Sequence, residues 1–362
     1  MTRHAEVRAC LRDRRLGRNF RHIGTENEFD AAEPLDPRWQ PFWDTERWSL
    51  LWLEPPEHTR IRKLVAAAFT PRSVEALRSP CDELSRELLP DGRFELLRDF
   101  AQPYSIAVIC RLLGVPTDRG RDLLDWSHAM VKMYELDTTE TQAEAATAAA
   151  AEFRDYVVSL IEERRREPRD DLVTRLVEAR VEGGRLTDAQ IVSTIIVLLN
   201  AGHEATVNTL GNGVLALLRH RNQWERLVVA GEVEPAAAVE ELIRWDPPLQ
   251  LFERRVLEDG VKIAGRPVPR GAKVALLFGA ANRDPRAFEN PDAFDVGRAN
   301  AGEHIGFGGG IHVCIGAPLA RIELEAALRA LVAAAPGLDL AQEPRRNRAF
   351  VIWGLDRVEL CT

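Results

Sequence analysis

Residues 187–219, TDAQIVSTIIVLLNAGHEATVNTLGNGVLALLR, constrain the fold more than any other stretch. Thr187 is a good N-cap, and Gln190 stands three residues on, the spacing of a capping box. A helix over this range is roughly 50 Å long, enough to cross a whole domain. It is apolar almost all round, and a helix of that kind is buried. The rest of the chain must therefore pack around it, and 362 residues are enough to do so.

The middle of that helix needs a reason. Ala201-Gly202-His203-Glu204 places a glycine and a carboxylate inside a buried segment. Gly costs about 1 kcal/mol against Ala in a helix interior. A buried, unpaired carboxylate costs several times more, or takes up a proton. Glu204 either pairs with His203, a buried Arg or water, or it handles protons.

The second informative stretch is Phe307–Arg321, FGGGIHVCIGAPLAR. Glycines flank Cys314, and a helix-forming pattern starts at Ala317 with Pro318 in its first turn. Cys314 is thus expected where a loop becomes a helix N-terminus. Unpaired backbone N–H groups and the positive end of the helix dipole meet there. That field favours a thiolate. One such thiolate suits a single metal-bound sulfur better than a zinc cluster. The bland alternative is a small buried hydrophobe.

Cysteine usage agrees with the single-sulfur reading. The five cysteines are scattered and form no CxxC pair. A disulfide framework and a structural zinc site are not expected, and a reducing, cytoplasmic compartment is. The net charge of −8 argues against non-specific binding to nucleic acid. The charged N-terminus has no apolar signal region, and no apolar run is long enough for a membrane span.

Helices are expected over 4–16, 71–78, 80–89, 103–113, 118–133, 140–166, 171–181 and 234–245. Breaks such as Pro90-Asp91-Gly92 and Gly183-Gly184 separate them. Residues 20–56, with Trp39, Trp43, Trp48 and Trp52, read as irregular. Strands are expected over 249–256, 261–263 and 273–277, with a terminal pair within 347–360. The fold class is mainly α with small β-sheets (α+β), as a single domain spanning 1–362.

The loop Phe307-x-x-Gly310-x-His312-x-Cys314-x-Gly316 resembles the haem-ligand loop of the cytochrome P450 family at every specified position. Other segments resemble that family in order. His58-x-x-x-Arg62 is similar to its propionate-binding helix. AGHEAT, from Ala201, is similar to its oxygen-activating motif. Glu241-x-x-Arg244 before Pro247-Pro248 and a strand is similar to its fold signature. Arg254 stands at a propionate-binding position, and ANRDP with PDAFD fits the segment before the loop.

The resemblance implies that Cys314 is the axial ligand of a haem b iron, with Phe307 beside the sulfur and Gly316 closing the loop. His58, Arg62, Arg254 and His312 would meet the propionates. Ala201 and Gly202 would leave room for dioxygen, and Glu204 would belong to a proton relay. The family usually has Thr directly after the acid. Here Ala205 stands there, and Thr206 lies about 100° round the helix. A substrate hydroxyl or an ordered water would complete the relay. Glu241 and Arg244 would be structural, with Arg298 in place of an Arg that some members carry at Ala293.

The implied activity is monooxygenation of a small apolar organic substrate, with electrons from a ferredoxin and its reductase. Arg60, Lys63 and Arg72 would offer a positive docking face. Ala205 keeps two alternatives open: a peroxide-driven haem-thiolate enzyme and a catalytically weak haem-binding protein. Residues 3–19 resemble the helix that follows the family's first sheet. The strands expected ahead of it are missing, which a late start codon explains better than natural shortening, because open sheet edges invite association.

Overall fold

The computed structural model describes residues 1–18, 36–181, 184–231 and 235–362. The chain opens with α1 (His4–Arg12) and β1 (Leu16–Gly17). Then come α2 (Gln40–Glu46), α3 (Glu57–Ala68), α4 (Pro71–Glu75), α5 (Arg78–Leu88) and β2 (Phe94–Glu95). A π-helical turn, Leu96–Ala101, leads into α6 (Gln102–Leu113). After it follow α7 (Gly120–Val131), α8 (Glu140–Arg166) and α9 (Leu172–Glu178).

Next is the central helix, α10 (Asp188–Arg219), and then α11 (Arg221–Ala230) and α12 (Pro235–Trp245). Strands β3 (Leu251–Val256), β4 (Lys262–Ile263), β5 (Arg266–Pro267) and β6 (Lys273–Leu277) precede the short α13 (Phe278–Ala281). The last elements are α14 (Ala317–Ala334), β7 (Asp339–Leu340), β8 (Arg345–Arg346), β9 (Leu355–Arg357) and β10 (Glu359–Cys361).

The capping box of α10 forms as its sequence requires. Thr187 Oγ1 accepts from Gln190 N at 3.3 Å, and Gln190 Oε1 accepts from Thr187 N at 3.1 Å. The helix packs against α6, α7, α8, α12 and α14. Its glycines permit close approach. A Cβ on Gly213 would meet Leu242 Cδ1 at 2.6 Å, and one on Gly202 would meet Ile109 Cδ1 at 3.2 Å. Gly202 thus has a packing role of its own, against α6.

The large apolar core surrounds α10. A second, smaller core lies under the sheet ordered β1-β3-β6, with α1 supplying Val7, Cys10 and Leu11. On the outer side of β6, Met1 accepts from Leu277 N at 2.9 Å.

The structure departs from the expected elements in a few places. Within 20–56, Gln40–Glu46 is helical rather than irregular. Residues 19–35 lie outside the described residues, as do Gly183 and Glu234. Leu16 is in a strand, not the first helix, because Leu16 and Gly17 pair with Val256 and Arg255. The terminal strands are split between two sheets: β8 pairs with β9, while β10 lies between β2 and β7. Among the described residues every cysteine is free.

Candidate functional site

Cys314 sits at the end of a loop shaped by glycines. Gly308 and Gly310 have φ of 72° and 65°, which favours glycine. A Cβ on Gly310 would also lie 2.0 Å from the carbonyl oxygen of Leu11, so α1 presses directly on the loop. Cys314 N donates to Phe307 O at 2.9 Å, and α14 begins at Ala317 with Pro318 in its first turn.

The sulfur is accessible, yet the surrounding protein desolvates it. Desolvation raises the thiol above its usual value. The N–H groups of Gly316 and Ala317, and then the Arg62 and Arg321 guanidiniums, pull it back. The helix-end field expected from sequence is present, but without a bound cation burial outweighs it. Phe307 packs nearby, with the Arg321 guanidinium 4.6 Å from its ring centre.

A cluster of cationic and imidazole groups gathers beside the loop. His58 and His312 have ring centres 4.5 Å apart. His312 Nε2 lies 3.3 Å from Glu54 Oε1, and its Nδ1 lies 3.2 Å from Leu50 O. Glu54 also accepts from Arg18 N at 2.5 Å. Burial, followed by the neighbouring His312 and Arg62, holds His58 down at about 4. Burial brings Arg254 to about 10.

Among the described residues, both ring nitrogens of His58 and the Nε and Nη1 of Arg254 are buried without a hydrogen-bond partner. Unmet buried donors are costly and uncommon. Here they suit carboxylates of a bound group. Arg62 takes another course: its Nη2 donates to Val313 O at 2.7 Å, bracing the residue before the thiol.

The central helix shows an accessible stripe in an otherwise buried middle. Ala201 and Ala205, one turn apart, are exposed, and Leu198 and Gly202 are half-buried. Thr206 Oγ1 donates to Gly202 O at 2.8 Å, and Thr209 Oγ1 donates to Ala205 O at 2.7 Å. Both hydroxyl protons are committed to the helix's own carbonyls. Glu204 lies 3.3 Å from His128 Nε2. Burial raises its carboxyl, while His128 and Lys132 act to lower it. A cleft of about 370 Å³ reaches Glu204 past His128 and Lys132.

Glu241 and Arg244 are fully buried and form a two-pronged pair at 2.6 and 2.8 Å. Arg298 Nε reaches Glu241 Oε2 at 3.3 Å. Arg244 Nη1 also donates to Asn282 O and Pro291 O, at 2.9 and 3.0 Å. The knot ties α12 to the meander that leads into the Cys314 loop.

Sequence reasoning missed Glu54, Arg18 and His128. Glu54 lies outside α3, before Pro55 and Pro56, so no helical spacing ties it to His58. Arg18 and His128 join the site only through tertiary contact.

The thiol, the unmet donors and the small-residue stripe together fit haem: a sulfur for iron, hydrogen-bond donors for propionates, and small side chains on the helix that faces them. A mainly helical fold built around such a cradle is that of a haem protein. The family model for cytochrome P450 matches residues 122–229 and 236–334. Over 351 residues the chain is 36% identical to the polyketide biosynthesis cytochrome P450 PksS of Bacillus subtilis, covering 95% of this chain and 83% of that one. It is 36% identical to 6-deoxyerythronolide B hydroxylase of Saccharopolyspora erythraea over 99% of this chain and 88% of that one.

Among solved structures, P450BioI in complex with a hexadecenoic acid-ligated acyl carrier protein superposes with a TM-score of 0.91. It is 32% identical, and the match covers 100% of this chain and 91% of that one. The chain belongs to the cytochrome P450 family. It is a haem monooxygenase, acting on an organic substrate with electrons from redox partners. Among the described residues no helix is long and apolar enough to cross a membrane.

Proposed function

We propose that this chain is a single-domain haem b monooxygenase of the cytoplasm that oxygenates a small apolar substrate bearing a hydroxyl. Ferredoxin and its reductase supply the electrons. Bound haem supplies dioxygen activation and insertion of one oxygen atom into a C–H bond. Cys314 holds the iron, with Phe307 and Gly316 shaping the loop around the sulfur. His58 and Arg254 hold the propionates, His312 stands beside them against Glu54 and Leu50 O, and Arg62 braces the loop at Val313 O. Ala201 and Gly202 keep the helix face open. Arg298 joins Glu241 and Arg244 in holding the scaffold.

Glu204 receives protons from the cleft side, where His128 stands between it and solvent. The carrying observation is the missing hydroxyl at Ala205. Thr206 and Thr209 do not replace it, because each donates back into α10. A hydroxyl on the substrate, facing Ala205, completes the path from Glu204. The named relatives act in polyketide and erythronolide chemistry, which supports an oxygen-bearing apolar substrate. Lys63 and Arg72 are exposed and form the docking face for an acidic ferredoxin. Arg60 contributes less, since Glu57 pairs with it at 2.8 Å.

Two measurements test this reading. Reduction under carbon monoxide gives a thiolate-type, red-shifted Soret band; a neutral-ligand band overturns the Cys314 assignment. Ala205→Thr is then compared with the native enzyme on a hydroxylated substrate and its deoxy analogue. The native enzyme couples electrons to product several-fold better with the hydroxylated substrate, and the variant narrows that gap. If the variant instead couples far better on the hydroxylated substrate, with binding unharmed, the substrate hydroxyl has no part in the relay.

A further inference from the structure

We propose that His128, His203 and Glu204 form a binding site for one divalent transition-metal ion, with zinc the best match. The site is separate from the thiol of Cys314 and stands whether or not the reading of function holds. α7 carries His128, and α10, packed against it, carries His203 and Glu204. One ligand atom from each residue lies within 4.8 Å of the others. The two imidazoles have ring centres 5.6 Å apart.

Two observations point to a ligand rather than to a resting contact. His203 is fully buried, and neither of its ring nitrogens has a hydrogen-bond partner among the described residues. Glu204 Oε1 lies 3.3 Å from His128 Nε2 but also finds no hydrogen-bond partner. A buried imidazole with two idle nitrogens is costly in a packed interior. A cation at the focus of the three groups satisfies one nitrogen of His203 and the idle oxygen together.

The donor set selects the metal. Two imidazoles and one carboxylate suit zinc and its neighbours, whereas calcium and magnesium prefer oxygen alone. Ligand atoms around tetrahedral zinc lie roughly 3.3 Å apart. The His128–Glu204 separation of 3.3 Å matches that edge. His203 has to move by up to about 1.5 Å to close the set. A water completes the fourth position from the cleft.

Access and charge are compatible with entry from solvent. The His128 side chain is 39% exposed, and it lines the cleft beside Glu204. Lys132 lines the same cleft and weakens a cation there. Glu135 also lines it, but its carboxylate is committed to the backbone N–H groups of Phe350, Val351 and Ile352. The site is therefore expected to be of micromolar rather than nanomolar strength. One consequence rests on the proposed role of Glu204. An ion on that carboxylate removes it from proton delivery, so zinc acts as a reversible brake on coupling.

The test uses haem-loaded, tag-free protein, dialysed metal-free and titrated with zinc chloride by calorimetry, with zinc-to-protein ratios measured after equilibrium dialysis. One ion binds per chain. His128→Ala weakens binding at least tenfold while leaving the far-ultraviolet circular dichroism and the carbon monoxide spectrum unchanged. His203→Asn, made in parallel, weakens it similarly. Absence of binding at 100 µM zinc, or equal binding by the His128→Ala protein, overturns the site. Zinc that binds in one copy without raising peroxide release during turnover leaves the site standing and overturns the role given to Glu204.

Discussion

Arg254 and His58 both face the Cys314 loop with idle donors, but they differ in charge. Arg254 keeps its charge at neutral pH, since burial brings it down only to about 10. His58, held near 4, is neutral there and offers one N–H. A charge-assisted hydrogen bond is roughly twice as strong as a neutral one. Arg254→Leu is therefore expected to lower haem retention by about tenfold or more, His58→Leu by less, and Arg254→Lys to restore part of the loss. Haem transfer to apomyoglobin measures the order, and equal losses from the two leucine variants would contradict it. Sequence spacing alone says little about these residues. His58 and Arg62 share a helical face in many proteins, and they become informative only beside the other motifs. Glu54 stayed hidden because its value depends on where His312 and Arg18 arrive.

The pair on α12 shows how an element's surroundings change the meaning of a motif. Three-residue spacing of Glu241 and Arg244 on an exposed helix would be worth only a few tenths of a kcal/mol. Here both are fully buried, and Arg244 also satisfies carbonyls of the meander. Removing one partner strands the other charge, which costs about 3–5 kcal/mol. Glu241→Ala is expected to lose that much in urea unfolding or to fail to fold. Arg298→Ala, whose guanidinium edges the pair, is expected to lose about 1 kcal/mol. Similar losses from both would remove the distinction between the pair and its brace. Long helices were legible because their apolar period repeats: α8 spans the expected 140–166, and α10 runs to 219 from Thr187, the cap that the sequence names. Strand β6 matches the expected 273–277. Two-residue strands such as β1 and β2 carry no period. They exist through their partners, Leu16 opposite Val256 and Phe94 opposite Leu360.

Across the whole molecule, two buried carboxyls set a slope of stability against pH. Burial pushes Glu323 up to about 8, with Ser105 offering slight relief. Burial also pushes Glu46 up to about 7, although Trp52 Nε1 and the Tyr134 hydroxyl donate to it at 2.8 and 3.0 Å. Well below pH 4.5 both groups are protonated whether the chain is folded or not. As pH rises from there, the unfolded chain ionises while the fold still holds the protons. Their contribution to stability therefore falls until the folded groups ionise in turn, Glu46 near 7 and Glu323 near 8, while His58 and His203, held down to about 4 and about 3 by burial, contribute the opposite slope below 6.5. The net charge of −8 adds self-repulsion in the same direction. Glu323 lies on α14 and leaves its Oε2 without a hydrogen-bond partner, so its carboxyl gains little in return. Glu323→Gln removes the titration while keeping the shape. It is expected to raise unfolding stability by about 4 kcal/mol at pH 8 and by under about 1 kcal/mol at pH 5. Urea unfolding of both proteins at the two pH values checks this. An equal gain at both would mean that packing, not the buried proton, limits stability at this position.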